Sequence, residues 1–172
     1  MIGMNEKEKE KEKKEEILKI LEENARLSDK EIARMLGLEE EDVKQTISEL
    51  ENRGVIKRYK AVINPEKAGI DTVQALIDVK VNSERNAGYD NVAERISRFP
   101  EVKSVRLVSG EYDLSVLVEG NTMREVAYFV AEKISSLEQV RNTVTHFLLK
   151  SYKENGEIYE EEEKGKRLAV TL

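Results

Sequence analysis

Ser28-Asp29-Lys30-Glu31-Ile32-Ala33-Arg34-Met35-Leu36-Gly37-Leu38 is a helix written with both of its ends. Ser28 and Glu31 stand at the spacing of a capping box, in which the hydroxyl accepts from one amide and the carboxylate reaches back to another. Ile32, Ala33, Met35 and Leu36 form its apolar stripe, and Gly37 suits the left-handed turn that stops it. Upstream, Ile17, Ile20, Leu21 and Ala25, broadened by Leu18, mark a first helix. Downstream, Val43, Ile47 and Leu50 turn inward on a third helix that stops at Gly54. Two helices joined by a glycine turn, the second with a polar outer face, predict a helix-turn-helix. Any small helical bundle has the same spacing, so the segment after the third helix has to discriminate. Val55 to Ile63, before Asn64-Pro65, carries Lys57, Arg58 and Lys60 and reads as a hairpin-like wing.

The pattern then changes period. Val73, Ala75, Ile77, Val79 and Val81 alternate as a half-buried strand does. Tyr89, Val92, Ala93, Ile96 and Phe99 make a helical stripe closed by Pro100. Val102 to Val108 is a second strand, and Ser109-Gly110-Glu111-Tyr112 turns into a third with Leu114, Val116 and Val118 on one face. Thr122 and Glu125 are spaced as another capping box, opening a helix with Met123, Val126, Ala127, Val130 and Ile134; Val140 to Tyr152 is the last strand. Strand, helix, strand, strand, helix, strand is the order of a ferredoxin-like βαββαβ sandwich. Its helices cover one sheet face, and the last strand carries apolar groups on both faces, which favours a homodimer.

The predicted fold is therefore α+β: a winged helix-turn-helix over 15–64, a linker over 65–72 and a ferredoxin-like domain over 73–152. Residues 1–14 are read as a charged leader, solvated or a helical extension without a core role, and 153–172 as an acidic tail, mobile or an added edge element. The chain has 172 residues, net charge −6 and no cysteine, so disulfides and thiolate metal sites are excluded. No apolar run approaches the roughly 18 residues that span a bilayer, and Met1 to Met4 lead straight into charge. These features predict a cytoplasmic protein. The first 64 residues hold 14 Lys and Arg against 16 Asp and Glu, so no half of the chain is globally basic.

Two sets of residues carry a family resemblance. The first is Ser28-x-x-Glu31-Ile32-Ala33-x-x-Leu36-Gly37-Leu38 followed by Val43-x-x-x-Ile47-x-x-Leu50-Glu51-x-x-Gly54-Val55-Ile56-x-x-Tyr59-x-Ala61. The second is Gly110-Glu111-Tyr112-Asp113-Leu114 with Val140-x-x-Thr143-x-Thr145-His146-Phe147. In this order and spacing, over residues 15–152, the chain resembles the Lrp/AsnC (feast/famine) family of transcriptional regulators. The resemblance implies a front domain on double-stranded DNA and a rear domain that dimerises through its sheets, often assembles to octamers, and binds an amino acid or related effector between subunits. It implies an effector site at Ser109, Gly110, Tyr112, Asp113, Thr143 and Thr145. Read without it, Gly110 is a turn glycine, and Tyr112 and Asp113 pack and cap that turn. Free backbone amides there would suit a carboxylate, and Asp and Thr oxygens an ammonium.

One departure stands out. Where family members carry Ser or Thr and outward Arg on the recognition helix, this chain has Glu39, Glu41 and Asp42, then Thr46 and Glu49. Residues 38–53 contain six acids and two bases, and carboxylates facing phosphates oppose binding. Arg53 to Lys60, with Arg53, Lys57, Arg58 and Lys60, contains no acid. The expected DNA contacts are therefore Lys44, Gln45 and Ser48 in the groove and those four cations on the backbone, weak per subunit and salt-sensitive.

The competing reading is an effector-sensing oligomeric interaction module that has lost DNA binding, with the acidic helix as its support. An enzyme is not expected: there is no cysteine nucleophile, no phosphate-binding glycine loop, and a single histidine, His146, read as structural. No cofactor or metal is expected.

Overall fold

The computed structural model describes residues 5–82 and 88–159, in two compact units, Met1–Ala61 and Val62–Leu172. Met1 to Met4, the Glu160–Glu163 run and the apolar finish Leu168-Ala169-Val170 lie outside the described residues.

In the first unit the Lys/Glu run is helical. Helix α1 (Glu6–Glu23) begins at an Asn5 capping box, with the Asn5 amide donating to Glu8 Oε2 at 2.9 Å. Lys14–Glu10 at 2.6 Å and Lys11–Glu15 at 3.6 Å add pairs one turn apart along it. Helix α2 (Asp29–Leu36) forms both arms of its box, Ser28 N to Glu31 Oε2 at 2.8 Å and Glu31 N to Ser28 Oγ at 3.3 Å. Gly37 ends it at φ +66°, where a side chain would be strained. Helix α3 is Glu40–Asn52. Ile17, Ile32, Ala33, Val43 and Ile47 form the buried centre, ringed by Ile20, Leu21, Leu27, Leu36, Leu38 and Ile56.

Met35, expected in the α2 stripe, is 62% exposed. The buried arc runs through Ile32, Leu36 and Ala33, and at about 100° per residue Met35 falls outside it. The hairpin expected over Val55–Ile63 is not formed, as residues 57–64 carry no β ladder. Val55 and Ile56 amides donate to Leu50 O at 2.8 and 3.2 Å, so the chain folds back on α3 and seats Ile56, leaving Val55 exposed.

In the second unit the segment expected as a linker contains one helical turn, α4 (Pro65–Ala68), capped by Asn64. Then come β1 (Val73–Val81), α5 (Gly88–Ser97), β2 (Val102–Leu107), β3 (Leu114–Gly120), α6 (Met123–Phe129) running on through a π-helical turn Val130–Ile134, and β4 (Val140–Phe147). The sheet order is β2-β3-β1-β4, every pairing antiparallel. Ala75, Ile77, Val79 and Val81 point at Val92, Ile96, Val126, Phe129 and Ile134. Each fully buried aliphatic side chain contributes about 1.5–3 kcal/mol. Phe99 and Phe129 meet edge to face, centroids 5.4 Å apart. The opposite sheet face pairs polar groups, Gln74 with Glu119 at 2.9 Å and Asp78 with His146 at 3.2 Å, around half-buried Leu76, Leu117 and Val144.

Two details differ from expectation. Glu125 returns its carboxylate to the Asn121 amide at 2.9 Å rather than to Thr122, while Thr122 Oγ1 accepts from Glu125 N as expected. Strand β4 stops at Phe147, five residues short of Tyr152, because its partner runs out: Phe147 pairs with Ala75 and Leu148 N bonds Gln74 O, next to the start of β1. Beyond it, part of the expected tail folds as a hairpin, β5 (Lys153–Glu154) and β6 (Glu157–Ile158). Asn155 at φ 47° and Gly156 at φ 92° make its turn, the Asn-Gly pair that two-residue hairpin loops favour.

Candidate functional site

The capped α2 and the Gly37 turn set the angle at which α3 leaves the first unit's core. With Val43, Ile47 and Leu50 buried, the helical period leaves Lys44, Gln45 and Ser48 exposed on one outer face. Lys44 lies 3.7 Å from Glu41. Arg53, Lys57, Arg58 and Lys60 follow, all exposed, and none forms an ion pair among the described residues. Tyr59 ties this run back to α3, its hydroxyl donating to Glu51 Oε1 at 2.9 Å. Desolvation, then the Glu51 carboxylate, pushes its phenol up to about 12.

The acids of α3 are arranged differently from their sequence reading. Thr46 is 6% exposed and donates to Asp42 O at 2.7 Å, so it belongs to the core and not to the outer face. Glu49 points toward α1, where Lys14 Nζ lies 3.4 Å from its Oε2, and Lys13 Nζ lies 3.9 Å from Asp42 Oδ2. Of the six acids, Glu41, Asp42, Glu49 and Glu51 therefore have partners. Sequence reasoning missed Lys13, Lys14 and Tyr59. The one available signal was the Lys13-Lys14 doublet interrupting an alternating run.

In the second unit, Ser109, Gly110, Tyr112 and Asp113 form the β2–β3 turn, while Thr143 and Thr145 lie on β4. Strand β1 separates them: Val79 pairs with Leu114 on one side and Thr143 on the other. The two groups thus stand roughly 10 Å apart, two strand spacings, on either side of β1 at one end of the sheet. Thr143 and Thr145 share the helix-side face with Val79 and Ile77, and Thr143 Oγ1 lies 3.0 Å from Ser135 Oγ.

Asp113 is engaged. Its Oδ2 accepts from the Val81 amide at 2.9 Å and its Oδ1 lies 3.4 Å from Lys80 Nζ, while its own amide donates to Val79 O at 3.0 Å. It fastens the turn to β1, the structural role that the residues alone left open. Among the described residues, the amides of 109–112 donate no hydrogen bond within the chain. Gly110 has φ +135° with nothing within 4 Å of an added Cβ, so backbone conformation and not space selects glycine.

A cleft of about 500 Å³ opens at the other end of the sheet, among Asn64, Ile70, Gln74, Glu119, Leu148 and Tyr159, and holds none of the expected effector residues. Among the described residues, no group of three or more His, Cys, Asp or Glu is placed to hold a metal, and no helix is long and apolar enough to cross a membrane.

Comparison with known proteins agrees with this division. Residues 11–57 match a winged helix-turn-helix DNA-binding model, and residues 74–158 match the Lrp/AsnC ligand binding domain. A Bacillus subtilis protein named as the uncharacterized HTH-type transcriptional regulator YugG is 49% identical over 160 residues, covering 92% of this chain and 96% of its own. The HTH-type transcriptional regulator FL11 of Pyrococcus furiosus is 32% identical, covering 83% and 91%. Among solved structures, the Neisseria meningitidis transcriptional regulator NMB0573, in complex with L-Met, matches with TM-score 0.67 at 25% identity, covering 88% of this chain and 94% of its own. With both domain models matched in order and with relatives of 49% and 32% identity covering most of both chains, the chain belongs to the Lrp/AsnC family of DNA-binding transcriptional regulators.

Proposed function

We propose that this regulator seats on duplex DNA through Lys44, Gln45 and Ser48 of α3 and through Arg53, Lys57, Arg58 and Lys60. The observation that carries this reading is the exposed run Arg53–Lys60, whose four cations have no acid partner among the described residues. Cations free of internal partners release counterions when they meet phosphates. The helix supplies polar side chains of the kind that read base edges. Such a protein works where the chromosome lies, in the cytoplasm.

The second unit is proposed to bind an amino acid or related small effector near Ser109, Gly110, Tyr112, Thr143 and Thr145. Two facts support it: the free amides of the 109–112 turn, and the L-Met held by the Neisseria relative. Asp113 serves that site by holding the turn and not by taking an ammonium. Since β1 divides the residues, the site is proposed to close between subunits of a homodimer, with octamers as the larger assembly.

The test of the DNA reading is the triple variant K57Q/R58Q/K60Q on mixed-sequence duplex DNA across a salt series. Affinity is expected to fall at least tenfold at low salt, with the salt slope reduced by roughly 0.9 for each lost phosphate contact. Unchanged affinity overturns it. The effector reading is tested by calorimetric titration with a panel of amino acids, and the assembly by light scattering with and without the ligand that binds. The rival, a module that no longer binds DNA, draws on the three acids Glu40, Glu41 and Asp42 in the first turn of α3. It requires that wild-type protein ignore duplexes altogether.

A further inference from the structure

The N-terminal extension of α1 lies against the helix expected to face DNA. The Asn5 box starts α1 more than two turns before the first core residue, Ile17. That extra length brings Lys13 and Lys14 alongside α3. Lys13 faces Asp42 in its first turn and Lys14 faces Glu49 seven residues on, while Lys14 also bonds Glu10 at 2.6 Å. Both ammonium side chains are largely covered, at 24% and 21% exposure, so they are held in place and do not wander as surface lysines do.

We propose that Lys13 and Lys14 act as built-in counter-charges that mask Asp42 and Glu49, allowing an acidic α3 to approach a phosphate backbone. Residues 38–53 carry six acids against two bases, and these two lysines halve that excess. At roughly 0.1 M salt, charges within about 10 Å still act on one another, so an unmasked carboxylate on α3 repels the duplex. Glu10 first, and Glu49 after it, hold the Lys14 ammonium above the ordinary lysine value against desolvation, so the mask stays charged. Lys13 and Lys14 are positioning residues: they act through Asp42 and Glu49 and touch no phosphate. The inference rests on the DNA reading above.

The experiment measures mixed-sequence duplex binding by the full chain across a salt series, for wild type, K13Q/K14Q, D42N/E49Q and the four-fold combination. K11Q, whose ion pair stays within α1, is the control and is expected to match wild type. K13Q/K14Q is expected to bind roughly three- to tenfold more weakly at about 0.1 M salt, with the slope of affinity against salt unchanged. Adding D42N/E49Q is expected to restore most of the loss. D42N/E49Q alone keeps the lysines and is expected to tighten binding, a readout that survives even if K13Q/K14Q folds poorly. Unchanged affinity in K13Q/K14Q overturns the proposal. So does a slope lowered by about 0.9 per lysine without rescue, which makes the lysines phosphate contacts themselves. Wild-type protein that binds no duplex at low salt brings down the DNA reading first, and the mask with it.

Discussion

The two compact units differ in what their cations do. In the sandwich, two cations fasten structure to particular acids: Lys80 to Asp113 at the turn, Lys103 to Glu119 at 3.0 Å on the outer sheet face. In the helical unit, Lys11, Lys13 and Lys14 of α1 are engaged, but the run Arg53–Lys60 is left open. Burial differs as well, since β1 lies at the centre of a continuous core while the helical unit closes over a smaller cluster. The sheet's charges thus hold turns and faces in place, whereas those beside α3 remain available to something outside the chain.

The largest test of that contrast is Ile77→Ala. Fully buried between two strands and the helix layer, Ile77 is expected to cost roughly 2–5 kcal/mol on truncation, read by chemical denaturation. A loss well under that range means the sandwich is not the deep body described. Next comes Asp113→Ala, which leaves the Val81 amide without its carboxylate acceptor. About 1–3 kcal/mol of stability should go with it, and a neutral result returns Asp113 to the ligand-binding groups.

Ser28→Ala is expected to cost about 1 kcal/mol through the lost cap of α2. It should also blunt acid sensitivity. The Ser28 hydroxyl and then its amide lower the Glu31 pKa, so Glu31 contributes stability above the ordinary carboxylate value that is lost as pH falls through its lowered one. A stability-against-pH curve in the acid range, wild type against S28A, shows whether that slope belongs to this box. Smallest of all, K57Q/R58Q/K60Q should change unfolding free energy by no more than about 0.5 kcal/mol. A larger loss would mean that the open run is structural after all.

Most elements were legible because period and capping are local properties. Ser28 with Glu31, the alternation from Val73 to Val81, and the stripe around Val126 and Val130 each name their element within a dozen residues. What was not legible depends on partners far along the chain. Strand β4 stops at Phe147 because β1 begins opposite it. Glu49 is met by Lys14 of α1, thirty-five residues earlier, and Asp113 is engaged by an amide thirty-two residues earlier. The Asn155-Gly156 hairpin was readable in principle, but the acidic composition around it hid the turn signal. Of the candidate sites, the basic run stood out by charge alone. The separation of the turn from Thr143 by β1 is a matter of strand order, which no local pattern carries.

Helix α1 seats Ile17 in the core and Lys14 against α3 on one unbroken rod. Its rotational phase is therefore shared between a hydrophobic anchor and an electrostatic reach less than one turn away. One residue inserted between Glu15 and Glu16 would leave the anchor seated and spin everything before it by about 100°, carrying both ammoniums off their carboxylates. Insertion tolerance at this spot is thus set by angle and rise together: about seven extra residues, close to two full turns, would restore the lysines' phase but carry them roughly 10 Å along the axis, past Asp42 and Glu49.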